Sequence, residues 1–318
     1  MQTQKSQASF LFSVGICATG SSKNLPTLLR LIASESFPDD FVLGRIIIVA
    51  SGCAAETLNY VRSFVGNNER IFLIEESERR GKADAINKIF ENSVGSHIVF
   101  VNADALPVKG SILELLLHAQ RSESIGMVSG SPSLGQDNNN RNDATSMVEE
   151  LMWSIHNECS SKLNRMNTSN HVSDEMMVVR TSAIKGLLPY GLVNDGAYIG
   201  GIMKLRGYSI KFCSNAKVVI DVPERVTDLI RQRRRVIFGH FQVWRLTGHS
   251  PKTVESLLLF SPTISLRIVV KVLAMNPRLV KIVPITLVSE AISFLLALKD
   301  TLSKNSSRKH EVWKRYAN

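Results

Sequence analysis

The first half of the chain alternates short apolar runs with amphipathic segments. Runs rich in β-branched residues predict strands at 10–17, 45–50, 70–74, 97–101 and 125–130. Apolar residues at helical spacing predict helices at 25–33, 55–65, 82–92 and 111–120. Strands that alternate in this way with helices of about ten residues are typical of βαβ units. The pattern therefore predicts an α/β fold with a mostly parallel sheet and helices on both of its faces.

Further along, a helix is predicted at 147–163 and strands at 178–180, 209–213 and 218–220. A polar, Asn-rich stretch at 135–143 predicts a loop. From about residue 253 the alternation gives way to apolar helices with scattered cations, predicted at 256–275 and 282–298. We therefore expect an α/β domain at residues 1–250 and a C-terminal helical segment at residues 251–318.

The apolar C-terminal helices raise the question of a membrane. The run at 282–298 contains Pro284 and Glu290, so it lacks the roughly 18 uninterrupted apolar residues of a spanning helix. Apolar helices flanked by cations can instead lie in the interface of an anionic leaflet. Packing against the rest of the chain or against a second copy is the alternative.

A cytoplasmic location, peripheral on the cytoplasmic face of the membrane, is the expectation from these segments. The apolar stretch at 10–18 is better explained as a buried first strand than as a signal peptide, because an amphipathic helix pattern follows it.

Composition narrows the class of protein. The 318 residues are 44% hydrophobic and 21% charged, which indicates a globular chain and excludes a disordered or collagen-like one. The net charge of +10 favours polyanionic partners, such as nucleic acid, an anionic membrane or nucleotide phosphates.

The four cysteines are far apart, without a CxxC or Cys/His pair, which argues against zinc ligation and a disulfide framework. Buried thiols in a reducing compartment are expected.

Ligands of open α/β sheets bind at the carboxyl ends of the strands, so the residues after each strand are the candidates for chemistry. The segment 15–23 nearly matches a phosphate-binding P-loop, but Ser21 stands where the lysine belongs. After the second strand, residues 50–53 form a turn of small residues. Residues 79–82 place three cations around Gly81 at a helix start, which is either an anion site or a solvated basic face.

Carboxylates follow two other predicted elements. Asn102-Ala103-Asp104 comes directly after a buried strand, where Asn102 and Asp104 can hold a divalent cation and a sugar hydroxyl. Asp195 lies at a loop–helix junction, as either an N-cap or a general base. Residues 231–235 (RQRRR) form a basic helix that suits a diphosphate, nucleic acid or membrane phosphates.

The order of these motifs resembles glycosyltransferase family 2, an inverting family with the GT-A nucleotide-sugar fold. The resemblance spans residues 10–245 and rests on GICA at 15–18, the turn at 50–53, GKADAIN at 81–87, NADALP at 102–107, ND at 194–195 and QRRRV at 232–236. Each motif is moderately specific, whereas their joint order and spacing are more so.

The resemblance implies a role for each matching residue. Asp195 corresponds to the catalytic base and Asp104, in the DxD motif, to the ligand of a Mg²⁺ or Mn²⁺ cofactor. The implied nucleotide-sugar-binding residues are Ala18, Thr19, Ser51, Lys82, Asn102, Ala103, Gln232 and Arg235. Within this set the first three line the nucleoside pocket, Lys82 approaches the pyrophosphate, and the last two lie by the diphosphate and the acceptor.

The chain departs from the family pattern at four places. Residues 50–51 (Ala-Ser) replace the aspartates after the second strand, which argues against the usual recognition of uracil. Asn102 replaces the first aspartate of DxD, which removes a negative charge but keeps an oxygen acceptor. Val236 replaces the tryptophan of QxxRW, which argues against processive polymer synthesis. Residues 174–175 (Asp-Glu) replace a glycine.

The expected function is a metal-dependent inverting glycosyltransferase. The resemblance implies a nucleoside-diphosphate sugar as donor, and a glycan or lipid-linked molecule as acceptor, with no nucleic-acid partner. The alternative is a non-catalytic basic module that binds an anionic membrane surface or nucleic acid through residues 231–235. A P-loop-like enzyme is disfavoured by Ser21.

Overall fold

The computed structural model describes residues 9–66, 68–135, 143–184, 186–303 and 310. Most of the loop predicted at 135–143 lies outside the described residues. The strands are β1 Phe10–Gly20, β2 Phe41–Cys53, β3 Ile71–Glu76, β4 His97–Asn102, β5 Leu106–Pro107, β6 Ile125–Leu134, β7 Met176–Arg180 and β8 Ser209–Ile220. The helices are α1 Leu25–Ser34, α2 Ala55–Val65, α3 Lys82–Asn92, α4 Ser111–Gln120, α5 Ala144–Arg165, α6 Asp195–Leu205, α7 Val226–Thr247, α8 Val254–Phe260, α9 Pro262–Met275 and α10 Val283–Leu302.

The strands form one eight-stranded sheet in the order β3-β2-β1-β4-β7-β6-β8-β5. The first four are parallel, β7 runs antiparallel to both of its neighbours, and β6 and β8 are again parallel. The predicted α/β fold, with a mostly parallel sheet between helices, is confirmed. The reversal of β7 has a local consequence, since its first residue, Met176, pairs with Val101 near the end of β4. The residues that precede β7 therefore reach the edge at which β1, β2 and β4 end.

Alternate residues of the central strands enter two hydrophobic cores on opposite faces of the sheet. In β2, Ile46 and Ile48 join one core, which includes apolar residues of α1 and α4, whereas Ile47 and Val49 join the other, with residues of α3 and α6. All four side chains are buried. A strand covered on both faces needs apolar residues at every position, which explains its continuous IIIV run.

Two predicted boundaries differ from the structure. The runs at 209–213 and 218–220 are parts of one strand, β8, which bulges where Phe212 pairs with Ser129 and Lys217 with Ser131. The helix predicted at 256–275 divides into α8 and α9 at Pro262, because proline cannot donate the hydrogen bond that would continue the first helix. A short 3₁₀ helix, Pro277–Ile282, precedes α10.

The C-terminal helices pack against α5 and α7, and α10 is fastened to α7 by polar contacts. Arg233 of α7 pairs with Glu290 at 2.7 Å and Arg234 with Asp300 at 2.5 Å. The stretch Pro277–Leu302 is long and apolar enough to cross a membrane, by length and composition. Of its most apolar 18 residues, 28% are buried against the rest of the chain.

Helix α3 packs against the sheet at a glycine. A methyl group on Gly15 of β1 would lie 2.5 Å from Cγ2 and 3.2 Å from Cδ1 of Ile89. Because Ile89 is fully buried, its side chain has little room to move away. The missing side chain at residue 15 therefore sets how closely α3, with Lys82 at its first turn, approaches β1.

We expect Gly15→Ala to destabilise the protein by about 1–3 kcal/mol through overpacking. The single substitution Ile89→Ala should cost about 2–5 kcal/mol by leaving a cavity. In the double variant the methyl group added at residue 15 fills part of the cavity left at residue 89, so the loss should be smaller than the sum of the single losses. Urea unfolding of the four proteins measures this coupling, and additive losses would contradict the packing argument.

Candidate active site

The ends of three parallel strands bring the predicted nucleotide-binding residues of the first half together. Ala18 of β1 pairs with Ala50 of β2, and Cys17 of β1 pairs with Asn102 of β4. Ala18 is 2% exposed, so it contributes backbone and a small surface rather than a polar contact. The sheet register therefore assembles one edge from motifs that lie far apart in the chain.

Two hydroxyl groups at this edge differ in their partners. The Ser51 hydroxyl donates a hydrogen bond to the carbonyl of Glu78 at 3.1 Å, so it already holds the loop before α3. The Thr19 backbone is bonded to the Ser22 hydroxyl, whereas the buried Thr19 Oγ1 has no hydrogen-bond partner within the described residues. A buried, unpaired hydroxyl is costly unless a ligand or water satisfies it.

Lys82 is the first residue of α3 and lies between two carboxylates. Its Nζ is 2.6 Å from Asp174 Oδ2 and 3.2 Å from Asp195 Oδ2. Burial alone would lower the pKa of Lys82, but the two carboxylates outweigh it and raise the pKa, so the ammonium group stays charged. The preceding Gly81 has a φ of 96°, which permits the sharp turn into the helix.

Asp195 is the first residue of α6 and is only 2% exposed. The N-cap role belongs to its neighbour Asn194, whose side chain accepts a hydrogen bond from the Ala197 backbone N–H at 3.0 Å, so the N-cap interpretation of Asp195 is wrong. Asp195 Oδ2 lies near Lys82 but without hydrogen-bond geometry. Burial raises the pKa of Asp195, Lys82 opposes that rise and Asp174 adds to it.

A small cavity joins these groups. Its polar lining consists of Cys17, Lys82, Asn102, Asp174 and Asp195. Burial raises the pKa of the Cys17 thiol to about 12, so this sulfur is protonated at neutral pH. The cavity wall therefore carries one cation, two carboxyl groups, an amide and a neutral thiol.

Asn102 and Asp104 lie beside another acidic residue, Glu175, at the end of β4. The side chain of Asn102 donates to Glu175 Oε2 at 2.9 Å, and the backbone N–H of Asn102 donates to the Glu175 carbonyl at 3.0 Å. Burial raises the pKa of Glu175 to about 8, and repulsion by Asp104 and then Asp174 adds to the rise. Acidic groups are thus crowded here, and Glu175 is mostly protonated at neutral pH.

The turn that presents Asp104 is held from both sides. Ala103 and Ala105 are buried in the core, so the residue between them faces away from it. The Asn24 side chain donates to the Asp104 carbonyl at 3.0 Å and to Asp221 Oδ2 at 2.9 Å. These contacts fix the Asp104 turn against the loop before α1 and the end of β8.

Helix α7 carries the basic cluster, and most of that cluster is neutralised inside the chain. Arg233 contacts Glu255 and Glu290, and Arg234 contacts Asp300. Burial alone would raise the pKa of Asp174, but Lys82 and, less strongly, the nearby Arg235 lower it. The Nε of Arg235 also donates a hydrogen bond to the His310 carbonyl at 3.3 Å. Gln232 is half-buried in the second turn. Two of the arginines in this helix are therefore paired with acids of the C-terminal helices and do not form an open basic surface.

Sequence reasoning missed the part played by Asp174 and Glu175. It noted them as replacing a glycine, but gave them no contact with Lys82 or Asn102. The available signal was two acids directly before the buried run MMVVR, yet their location depends on β7 entering the sheet in reverse. Without that reversal they would lie at the opposite edge.

A group of three histidines beside Asp174 was also missed. They come from α5, the segment before β7, and α7, and their rings stack edge to face at 6.0 and 5.2 Å: His156, His171 and His240. Burial lowers the pKa of the first two to about 3 and of the third to about 4, so all are neutral at pH 7. Nothing in the local sequence indicates that they meet.

Comparison with known sequences identifies the family of the chain. The family model described as glycosyl transferase family 2 matches residues 13–188, more than half of the chain. Poly-β-1,6-N-acetyl-D-glucosamine synthase of Staphylococcus aureus is 22% identical over 201 residues, covering 62% of this chain and 48% of that protein. The chain thus spans about half the length of these curated relatives. Glycosyltransferase AglE of Haloferax volcanii is 24% identical over 252 residues, covering 78% and 79% of the two chains.

The fold also has a solved counterpart. The mannosyltransferase PcManGT of Pyrobaculum calidifontis, solved in complex with GDP-Man and Mn²⁺, superposes with a TM-score of 0.62 at 16% identity, covering 93% of this chain and 88% of that one. At this identity the likeness establishes the fold and not the substrate. Together with the match over residues 13–188, it shows that the chain belongs to glycosyl transferase family 2 and has the GT-A fold.

Proposed function

We propose that this protein transfers a sugar, with inversion, from a nucleoside-diphosphate sugar to a hydroxyl group of a glycan or lipid-linked acceptor. The observation that carries the proposal is the buried Asp195, which shares a cavity with Lys82 at the edge where β1, β2 and β4 end. A carboxylate desolvated beside one cation, in the sheet position where α/β folds bind ligands, suits a general base.

Asp195 is the residue that takes the acceptor proton. Its raised pKa strengthens it as a base, while the nearby Lys82 keeps enough of it ionised to accept a proton. The acceptor oxygen then attacks the anomeric carbon from the face opposite the nucleotide, and the nucleoside diphosphate leaves. Attack from the opposite face inverts the configuration at that carbon.

The departing diphosphate needs positive charge, which this chain supplies from two helices. Lys82 lies at the N-terminus of α3, where free backbone N–H groups already favour anions. Arg235 approaches the same region from α7, since its charge is close enough to Asp174 to lower the pKa of that carboxyl group. Fixed charges that require no reorganisation are an effective way to stabilise a leaving group.

The donor set at the Asp104 turn fits a divalent cation. Asn102, Asp104 and Glu175 offer carboxylate and amide oxygens, and repulsion between the two carboxyl groups contributes to the raised pKa of Glu175. Hard cations such as Mg²⁺ and Mn²⁺ prefer these ligands. When bound, such an ion would neutralise charge that develops on the diphosphate. The mannosyltransferase with the same fold was solved with Mn²⁺.

The C-terminal helices suit a peripheral position on an anionic membrane. They expose large apolar side chains, including Leu259 and Phe260, both 76% exposed, and Leu287, 65% exposed. The contacts of Arg233 and Arg234 with α10 fasten that helix to the catalytic region, which favours a helix lying in the interface over one that spans. A lipid-linked acceptor would be close at hand there.

Asp195→Asn tests the general base. We expect transfer to fall by about 10²–10⁴-fold, because the amide cannot take the proton, while affinity for the nucleotide stays within about twofold. Initial rates with a panel of UDP- and GDP-sugars, and calorimetric titration with the free nucleotide, measure the two effects. Full activity of the variant would exclude Asp195 as the base.

The pH profile of the native protein gives a second readout of the same group. A base must be deprotonated, so kcat/KM should fall as the pH is lowered through the pKa of Asp195. Because that pKa is raised, the inflection should lie above the ordinary aspartate value of about 3.9. An acid limb at or below that value would contradict the assignment.

Asp104→Asn tests the metal site with little change in shape. We expect Mn²⁺-dependent binding of nucleoside diphosphate to weaken at least about tenfold, since one hard carboxylate ligand is lost. Glu123→Gln, at an exposed residue before β6, is the matched control and should bind as the native chain does. Titration calorimetry with and without Mn²⁺ makes the comparison, and equal binding by Asp104→Asn would refute the metal role.

Substitution of Leu259 and Phe260 by serine tests the membrane surface. We expect the double variant to lose flotation with vesicles that contain anionic lipid, because apolar area and charge act together. Leu205→Ser, at a residue 52% exposed at the end of α6, is the control and should float normally. If the double variant floats as the native chain does, these side chains do not bind the membrane. If the native chain binds no lipid and the variant loses dimers in sedimentation, the apolar surface contacts a second copy instead.

A further inference from the structure

Three side chains with metal-binding groups meet where α4 packs against β8. Glu114 and His118 lie on α4, and Cys213 lies on β8. One ligand atom from each lies within 4.8 Å of the other two: a carboxylate oxygen, an imidazole nitrogen and the sulfur. Cys213 is buried and the other two are half-buried. The proposed transfer reaction uses none of them.

The local structure explains why these groups converge. Residues four apart on a helix share a face, so Glu114 and His118 point the same way. On β8, Cys213 begins the bulge that separates the ladder pairs of Phe212 and Lys217. In this bulge burial raises the pKa of the Cys213 thiol, while the backbone N–H groups of Ala216 and Asn215 beside the sulfur oppose that rise. N–H groups directed at a sulfur stabilise a thiolate, which is the form that binds metals.

We infer that Glu114, His118 and Cys213 form a second metal site, for a borderline-soft divalent ion such as Zn²⁺. Thiolate and imidazole are ligands that zinc prefers, and Mg²⁺ does not. A carboxylate completes three protein ligands, and water would take the fourth tetrahedral position. The set differs in kind from the oxygen ligands at the Asp104 turn.

The surrounding charges are consistent with a cation here. The carboxylate of Glu114 lies close to the Cys213 sulfur, and a divalent ion between them would be attracted by both groups. Arg121 lies near both His118 and Cys213 and opposes a bound cation. The triad supplies two negative charges against it when the thiol is ionised.

Such an ion would brace the support of the Asp104 turn. Strand β5, which follows this turn, pairs with Val218 and Val219 of β8, and α4 begins shortly after β5. A bond from α4 to β8 would therefore tie together the two elements next to β5, the strand that directly follows the Asp104 turn. An ion that binds the folded chain and not the unfolded one raises stability.

Cobalt substitution of the full-length, reduced protein tests the site, because Co²⁺ bound to a thiolate gives a charge-transfer absorption in the near ultraviolet. Excess Mg²⁺ fills the oxygen site beforehand. We expect one equivalent of Co²⁺ to give this absorption in the native chain, in Cys159→Ser and in Cys17→Ser, and none in Cys213→Ser. Loss of the band with Cys17→Ser instead, or no band in the native chain, would overturn the inference.

A second measurement covers the case in which Cys213→Ser fails to fold. His118→Gln and Glu114→Gln alter half-buried side chains, and each should weaken Co²⁺ binding at least about tenfold. Zn²⁺ should raise the unfolding temperature of the native chain and not that of His118→Gln. Equal Co²⁺ affinity and equal stabilisation in all these proteins would show that the three residues are only neighbours in the core.

Discussion

The candidate site depends on one partly buried ion triplet, in which the Lys82 ammonium is held between Asp174 and Asp195. Each member comes from a different part of the chain: the start of α3, the segment before β7, and the start of α6. Two carboxylates this close would repel strongly in a medium of low dielectric constant, so the cation is required for both to be charged. The triplet thus fixes the positions of three elements and the charge of the group proposed as the base.

The reversed strand β7 makes that triplet possible. If β7 ran parallel to β4, its preceding residues would lie at the amino-terminal edge of the sheet, far from Lys82. The antiparallel register pairs Met176 with Val101 and brings Asp174 and Glu175 to the edge of the sheet where β1, β2 and β4 end. Strand direction is set by tertiary pairing and not by local residue pattern, which is why the sequence alone did not give these two residues a role.

Much of the rest could be predicted from local pattern. The central strands are continuous apolar runs, as β2 illustrates, and the residues after them carry the family motifs that indicate Lys82, Asp104 and Asp195. Long-range partners could not be predicted. The RQRRR stretch reads as a basic surface, yet Arg233 and Arg234 meet Glu290 and Asp300, acids more than fifty residues away. The helix boundary at Pro262 can be predicted from the chemistry of proline alone, whereas the bulge of β8 can be predicted only when its pairing with β6 is known.

The fastening of α10 to α7 has a geometric consequence for an enzyme at a lipid surface. One face of α7 holds Arg235 toward the cleft, and Arg233 and Arg234 bind helix α10. If α10 rests on the lipid headgroups, its contacts with α7 hold the cleft at a constant distance from them. With the proposed membrane contact, an acceptor would have to present its free hydroxyl group at that distance to reach Asp195.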